Sequence, residues 1–348
     1  MPRIASAGGE RGAGERGAWI IGHRGAPGYR PEHTASAYRL AFAQGACAVE
    51  PDVVVSRDGA LVLRHENEIS GTTDIADRPE FEDRRTVKTV DGQRVEGWFA
   101  EDLDWAELRT LRCRERLPEL RPASAAHDGE EPILRLSDLL ALVDAEPRDI
   151  ALVIEVKHAH FLGERGHDLV ALLLAELERC GWADRPGRLV IESFELAPLV
   201  RLRAARVTAE LVFLMESEGA PADEVARSGA AARPYAWYRS DEGLDALAAT
   251  GAVDGISIAK RDLLADADPE TGVVARAGER GLPVFTWTLR PENRFLEAEH
   301  RSGPDPRQFG DWRAEWTRIL ATGVSGVFVD HPDLMAELSR SRPRPRER

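Results

Sequence analysis

VEPDVVVSRDGALVLRH, residues Val49 to His65, is two β-branched runs joined by Ser56-Arg57-Asp58-Gly59. Asp-Gly is a strong signal for a two-residue hairpin loop, because both residues tolerate positive φ. The runs Val49 to Val55 and Leu61 to His65 are therefore expected as antiparallel neighbours. With Asp58 and Gly59 as the loop, Arg57 opposes Ala60, and Asp52 opposes His65 on the same face. Seven further runs read as strands: Trp19 to Gly22, Ile150 to Val156, Leu189 to Ser193, Glu210 to Leu214, Val253 to Ile258, Pro283 to Thr288 and Gly326 to Val329. They alternate with helical periodicity, the pattern of β-α units around a parallel sheet. Setting the returning run aside leaves eight parallel strands, the number that closes a barrel. The expected class is α/β, a TIM-type (β/α)8 barrel with a small insertion after the second-strand hairpin.

That insertion is Glu66 to Pro132, poor in regular strand pattern, with Asp102 to Arg114 expected to be helical. Without it, the stretch from Trp19 to Asp333 comes to about 250 residues, the usual size of one such barrel. The residues ahead of Trp19 are Gly-rich, with charges where a signal peptide needs an apolar run, and are expected to form a disordered tail. The barrel domain is expected to end at Met335, and Ala336 to Arg348 to form a solvated basic tail.

In the chain of 348 residues, 43% are hydrophobic and 30% charged, which suits an ordinary globular protein. No apolar run reaches the ~18 residues of a membrane helix. Lys and Arg total 46 against 60 Asp and Glu, and the net charge of -14 argues against nucleic acid and stable membrane association. An anionic substrate must then be attracted by a local site. Cys47, Cys113 and Cys180 are odd in number and lack CxxC spacing, so reduced thiols in a cytoplasmic protein are expected.

Active sites of these barrels lie at the carboxyl ends of the strands. The polar residues there are His23-Arg24-Gly25, Glu50-Pro51-Asp52, His65 and Glu155-Val156-Lys157. Residues i and i+2 share a strand face, so Glu50 pairs with Asp52, and Glu155 with Lys157. Converging buried carboxylates repel one another unless a cation sits between them, and all-oxygen donors favour Ca²⁺, Mg²⁺ or Mn²⁺. Arg24 and Lys157 suit phosphate oxygens. His23 and His65 titrate near neutrality, as a general acid and base require. Phe194, Trp287 and Tyr29 are aromatic candidates for packing on the substrate.

In their order, HRG at His23, ExD at Glu50, His65, ExK at Glu155, TWTLRPEN at Thr286 and GVFVDHPD at Gly326 resemble the glycerophosphodiester phosphodiesterases over Trp19 to Met335. HENEISGTTD, His65 to Asp74, is similar to a bacterial branch of that family. The resemblance implies a metal-dependent barrel that splits glycerophosphodiesters into glycerol 3-phosphate and an alcohol. It implies His23 and His65 as the acid-base pair, Glu50, Asp52 and Glu155 as metal ligands, and Arg24 and Lys157 as phosphate contacts. Three positions depart from the common pattern: PEHT at Pro31 to Thr34 in place of PENT, Glu66 in place of Asp, and Ile133-Leu134-Arg135 in place of IPT. His33 can take over hydrogen bonding from the lost amide. The expected substrate is a small glycerophosphodiester of the glycerophosphocholine or glycerophosphoethanolamine kind. The alternatives are a lysophospholipase D and a phosphate-binding barrel without turnover.

Overall fold

The computed structural model describes residues 17–341. Its strands are β1 (Trp19–His23), β2 (Ala48–Glu50), β3 (Asp52–Val55), β4 (Leu61–Leu63), β5 (Thr86–Val90), β6 (Gln93–Gly97), β7 (Ala151–Val156), β8 (Leu189–Ser193), β9 (Glu210–Met215), β10 (Gly255–Ala259), β11 (Val284–Leu289) and β12 (Gly326–Val329). Pro51, which has no N–H to give to a ladder, separates β2 from β3. The pairing with β7 does not slip across it: Ala48 lies opposite Ala151 and Asp52 opposite Glu155. Counting β2 and β3 as one stave, eight parallel staves close into a barrel, with β12 returning to β1. Helices between the staves cover the outside. Leu136–Asp144 buries Leu139, Leu140 and Val143, and Leu169–Arg179 buries Leu169, Val170, Leu173 and Leu177, in each case an apolar stripe at helical spacing.

The barrel interior is an apolar plug of Ile21, Ala48, Ala151, Val153, Val190, Val212, Phe285 and Phe328. Side chains alternate with period two, so the next inward positions are two residues further along each stave. Those positions are His23, Glu50, Glu155, Glu192 and Asp330. The row of chemistry thus stands directly on the plug.

The hairpin departs from expectation by one residue. Val53 pairs with Leu63, Val54 with Val62 and Val55 with Leu61, and the loop is Arg57-Asp58-Gly59 with Gly59 at φ 86. Asp58 does not take the first loop position, because its carboxylate accepts from the Ser56 hydroxyl at 2.6 Å and from Trp105 N–H at 2.9 Å. Asp52 therefore faces Arg64, whose N–H donates to Asp52 O at 3.2 Å. β4 ends at Leu63, so strand alternation no longer sets the direction of His65.

Only Trp105–Leu108 of the expected Asp102 to Arg114 helix is α-helical. The chain leaves the helix there to form bridges from Arg112 to Pro132 and from Cys113 to Thr73. Ile69, Ile75, Phe81, Leu103, Leu108 and Leu111 of the insertion share one core with Val54 of β3 and Val62 of β4, and the insertion contains the β5–β6 hairpin. At the other end the helix Pro332–Ser341 continues past Met335, because Leu338 is buried one turn on. The rest of the expected basic tail, and nearly all of the expected N-terminal one, lie outside the described residues. No helix among the described residues is long and apolar enough to cross a membrane.

Phe285 is 2% exposed inside the plug. Phe285→Ala should lower unfolding free energy by about 3–5 kcal/mol, read from urea melts. A loss below about 1 kcal/mol would show that the plug collapses onto the gap.

Candidate active site

β1 ends in a sharp turn, with Arg24 at φ 55 and Gly25 at φ 97. A Cβ on Gly25 would lie 2.7 Å from the carbonyl carbon of Ala37, so the position demands glycine. The turn aims Arg24 N–H at Glu50 Oε2, 3.0 Å away. Three residues of PEHT then make separate contacts. Glu32 accepts from Arg24 Nη1 at 3.2 Å, and Thr34 Oγ1 accepts from Ala37 N–H to cap the helix Ala35–Ala43. His33 places Nε2 3.0 Å from Asp52 Oδ2 and Nδ1 2.8 Å from the Tyr38 hydroxyl.

Asp52 is surrounded by cations. Arg24 Nε lies 3.0 Å from Oδ2, and Lys157 Nζ lies 3.0 Å from Oδ1 and 2.6 Å from Glu155 Oε1. Burial opposes ionisation of Asp52, but Lys157 and Arg24 outweigh it and hold the carboxyl well below its usual range. Burial would likewise lower the pKa of Lys157, and Asp52 and Glu155 raise it instead.

A second group of carboxylates is less well compensated, with Lys157 on Glu155 as its one cation in contact among the described residues. One oxygen from each of Glu50, Glu155 and Glu192 lies within 4.8 Å of the others. Register explains the meeting of Glu155 with Glu192, which lie directly opposite each other on β7 and β8. Burial first, and then like charge, push Glu50 and Glu192 well up. Glu155 is pushed up to about 8, with Lys157 partly opposing the burial. Glu50 Oε1 and Glu192 Oε2 are buried without a hydrogen-bond partner among the described residues. Orphaned anionic oxygens this close fit a hard divalent cation, for which metal–oxygen distances are about 2.0–2.6 Å.

Each histidine is backed by a carboxylate. His23 Nδ1 lies 2.7 Å from Asp330 Oδ1, and His65 Nδ1 lies 2.5 Å from Glu66 Oε1. Arg290 and Arg121 hold Asp330 well down against its burial, and the hydrogen bond from His65 to Glu66, together with the charge of Arg116, does the same for Glu66. An ionised carboxylate only accepts, so each imidazole donates Nδ1–H and keeps the Nε2 lone pair free. Burial, then the charge of Arg24, lower His23 to about 4 and His65 to about 3, so both are neutral near pH 7 in the free protein.

The insertion completes the site. Arg116 Nη2 lies 2.6 Å from Glu32 and 2.6 Å from Glu66, while Arg121 reaches Glu292 and Asp330, each at 2.7 Å. The tip of β5–β6 stands over the opening, where Asp91 Oδ2 meets His158 Nδ1 at 2.5 Å.

A cleft of about 1420 Å³ is lined by His23, Arg24, Glu50, His65, Glu155 and Lys157. Asp52 lies behind them. Phe194 and Trp287 also line the cleft, edge to face at 5.6 Å, with Lys157 Nζ 5.5 Å from the Phe194 ring. Tyr29 does not line it, since its hydroxyl is given to Asp333 at 2.9 Å. His65 reaches the site despite the altered register, because it lies beyond the end of β4. Glu192, Asp330, Arg116 and Arg121 carry no assignment from sequence. The face parity of LVIES would have marked Glu192, and the strand end GVFV-Asp330 the histidine's partner, but nothing local marks the two arginines.

Asp330→Asn should lower kcat by about 10²- to 10⁴-fold, because an amide does not enforce the Nδ1–H tautomer of His23. Wild-type kcat in a folded variant would show that this partner is dispensable.

The chain matches the Glycerophosphoryl diester phosphodiesterase family over residues 23–334. It is 28% identical to glycerophosphodiester phosphodiesterase GDPD6 of Arabidopsis thaliana over 89% of this chain and 82% of that protein. A glycerophosphodiester phosphodiesterase of Treponema pallidum is 30% identical over 53% of this chain and 52% of its own length. Among solved structures, a phosphodiesterase of Oleispira antarctica in complex with the product sn-glycerol-3-phosphate superposes with TM-score 0.61 at 21% identity, covering 93% of this chain and 98% of that one. The barrel, its strand-end histidines and the family match agree: the chain belongs to the glycerophosphoryl diester phosphodiesterase family and is a phosphoric diester hydrolase.

Proposed function

We propose that the protein hydrolyses water-soluble glycerophosphodiesters of the glycerophosphocholine or glycerophosphoethanolamine kind to glycerol 3-phosphate and an alcohol, with a divalent cation, Ca²⁺ or Mg²⁺, held at Glu50, Asp52 and Glu155. The observation that carries this reading is the meeting, in one cleft, of two carboxylate-backed imidazoles, two buried cations and orphaned carboxylate oxygens. A bound divalent cation supplies charge neutralisation and lowers the pKa of a coordinated hydroxyl.

The remaining steps belong to the chain's own residues. Arg24 and Lys157 hold the phosphoryl oxygens and the charge that grows on them. The free Nε2 of one histidine takes the proton from the attacking oxygen, and the other histidine gives a proton to the departing alcohol. An anionic phosphodiester beside the imidazoles favours their protonated form, which offsets the lowering by burial and Arg24. The ring faces of Phe194 and Trp287 attract an ammonium group on the alcohol. The product named for the Oleispira antarctica structure supports glycerol 3-phosphate as the product here. The thiols of Cys47, Cys113 and Cys180 are all free, which supports a reducing, cytoplasmic setting.

EDTA should abolish release of glycerol 3-phosphate from glycerophosphocholine, and added Ca²⁺ or Mg²⁺ should restore it; full activity in rigorously metal-free protein would sink the metal reading. His23→Ala and His65→Ala should each lose at least about 10²-fold in kcat with a native-like melting curve. A change below about threefold in either would make that histidine a bystander.

A further inference from the structure

Glu192 is the inward-facing residue of β8, which reads LVIES, and it is 2% exposed. A buried carboxylate normally has a cation or several hydrogen-bond donors against it. Its neighbours on the row do: Asp52 has Arg24, Lys157 and His33, Glu155 has Lys157, and Glu50 Oε2 has the N–H of Arg24. Glu192 Oε2 has no hydrogen-bond partner among the described residues. The oxygen atoms that come within 4.8 Å of one another belong to Glu50, Glu155 and Glu192, not to Asp52.

Resting on the metal-dependent reading above, we infer that Glu192 is a further ligand of that divalent cation, added to Glu50, Asp52 and Glu155. Two observations carry this independently of the family motifs, which assign nothing to this position. One is convergence, because a single ion with metal–oxygen distances of about 2.4 Å touches oxygens spaced up to that limit. The other is the orphaned Oε2, which no side chain among the described residues satisfies. A packing role alone would be met by glutamine or an apolar residue at lower desolvation cost.

The test is direct cation binding, by calorimetric titration of the full, metal-stripped chain with Ca²⁺ and then Mg²⁺ as the only ligands. Wild type, Glu192→Gln, Glu192→Asp and Glu155→Gln are compared, with thermal melts to establish folding. Losing an outer-sphere partner of a metal site typically weakens binding by about 10- to 100-fold, so removing a direct ligand should cost on the order of tenfold or more. The expected result is a Kd raised to that extent in Glu192→Gln and Glu155→Gln, with Glu192→Asp in between. A Kd within about twofold of wild type in both Glu192 variants, while Glu155→Gln loses binding, overturns the role of Glu192 and leaves the metal reading standing. A wild-type chain that binds neither ion overturns both.

Discussion

Several carboxylates cannot be buried within a few ångströms of one another unless positive charge comes with them. This constraint organises the carboxyl end of the barrel. Asp52 receives Arg24 and Lys157, and the backbone is bent to deliver the first of these, through a residue at φ 55 followed by a glycine at φ 97. Left-handed backbone at a non-glycine residue is costly and persists where the surroundings hold it in place. Here Glu32 and Asp52 grip the guanidinium from two sides while Glu50 accepts the backbone N–H. What remains without an ion-pair partner among the described residues is Glu50 with Glu192, and there burial and like charge press both carboxyls toward the neutral form.

The same logic extends outward to the histidines. An imidazole is a directional base only if its far nitrogen is engaged, and here both far nitrogens face carboxylates. Those carboxylates stay ionised because arginines pin them: Arg121 and Arg290 on Asp330, and Arg116 on Glu66. Guanidinium suits the task better than ammonium, since its planar fork binds two partners at once, and Arg116 and Arg121 each bridge two acids.

The parts legible in the sequence are those governed by short periods. Alternation within β1, β2 and β7 marks His23, Glu50 and Glu155 as inward-facing, and the β-α rhythm marks the barrel. The hairpin register was misread because Asp58 has partners outside the turn, one of them on Trp105 in the insertion. His65 lines the cleft because of where the chain runs after β4, not because strand pairing sets it beside Asp52. Arg116 and Arg121 were illegible for a related cause. Arg121 meets partners 171 and 209 residues away along the chain, and no periodicity relates residues that distant. His33 was readable only because PEHT stands where an amide is common, and its contact with Asp52 gives that substitution a physical meaning.

The twin bridges from the insertion bear on how such a chain can change over generations. Exchanging residues 66–132 for a foreign segment without guanidinium groups at these places would take from buried Glu292 its ion pair with Arg121, and would leave buried Glu32 and Asp330 with Arg24 and Arg290 as their remaining arginines. Stranding a buried ion-pair partner costs about 3–5 kcal/mol, so barrel and insertion are inherited as one unit. Among the described residues the Asp91-Gly92 tip is held by its meeting with His158 alone, which leaves it room to lengthen or shorten. Drift among descendants of this sequence should therefore concentrate at that overhang, where it reshapes the mouth of the cleft while the residues beneath stay locked.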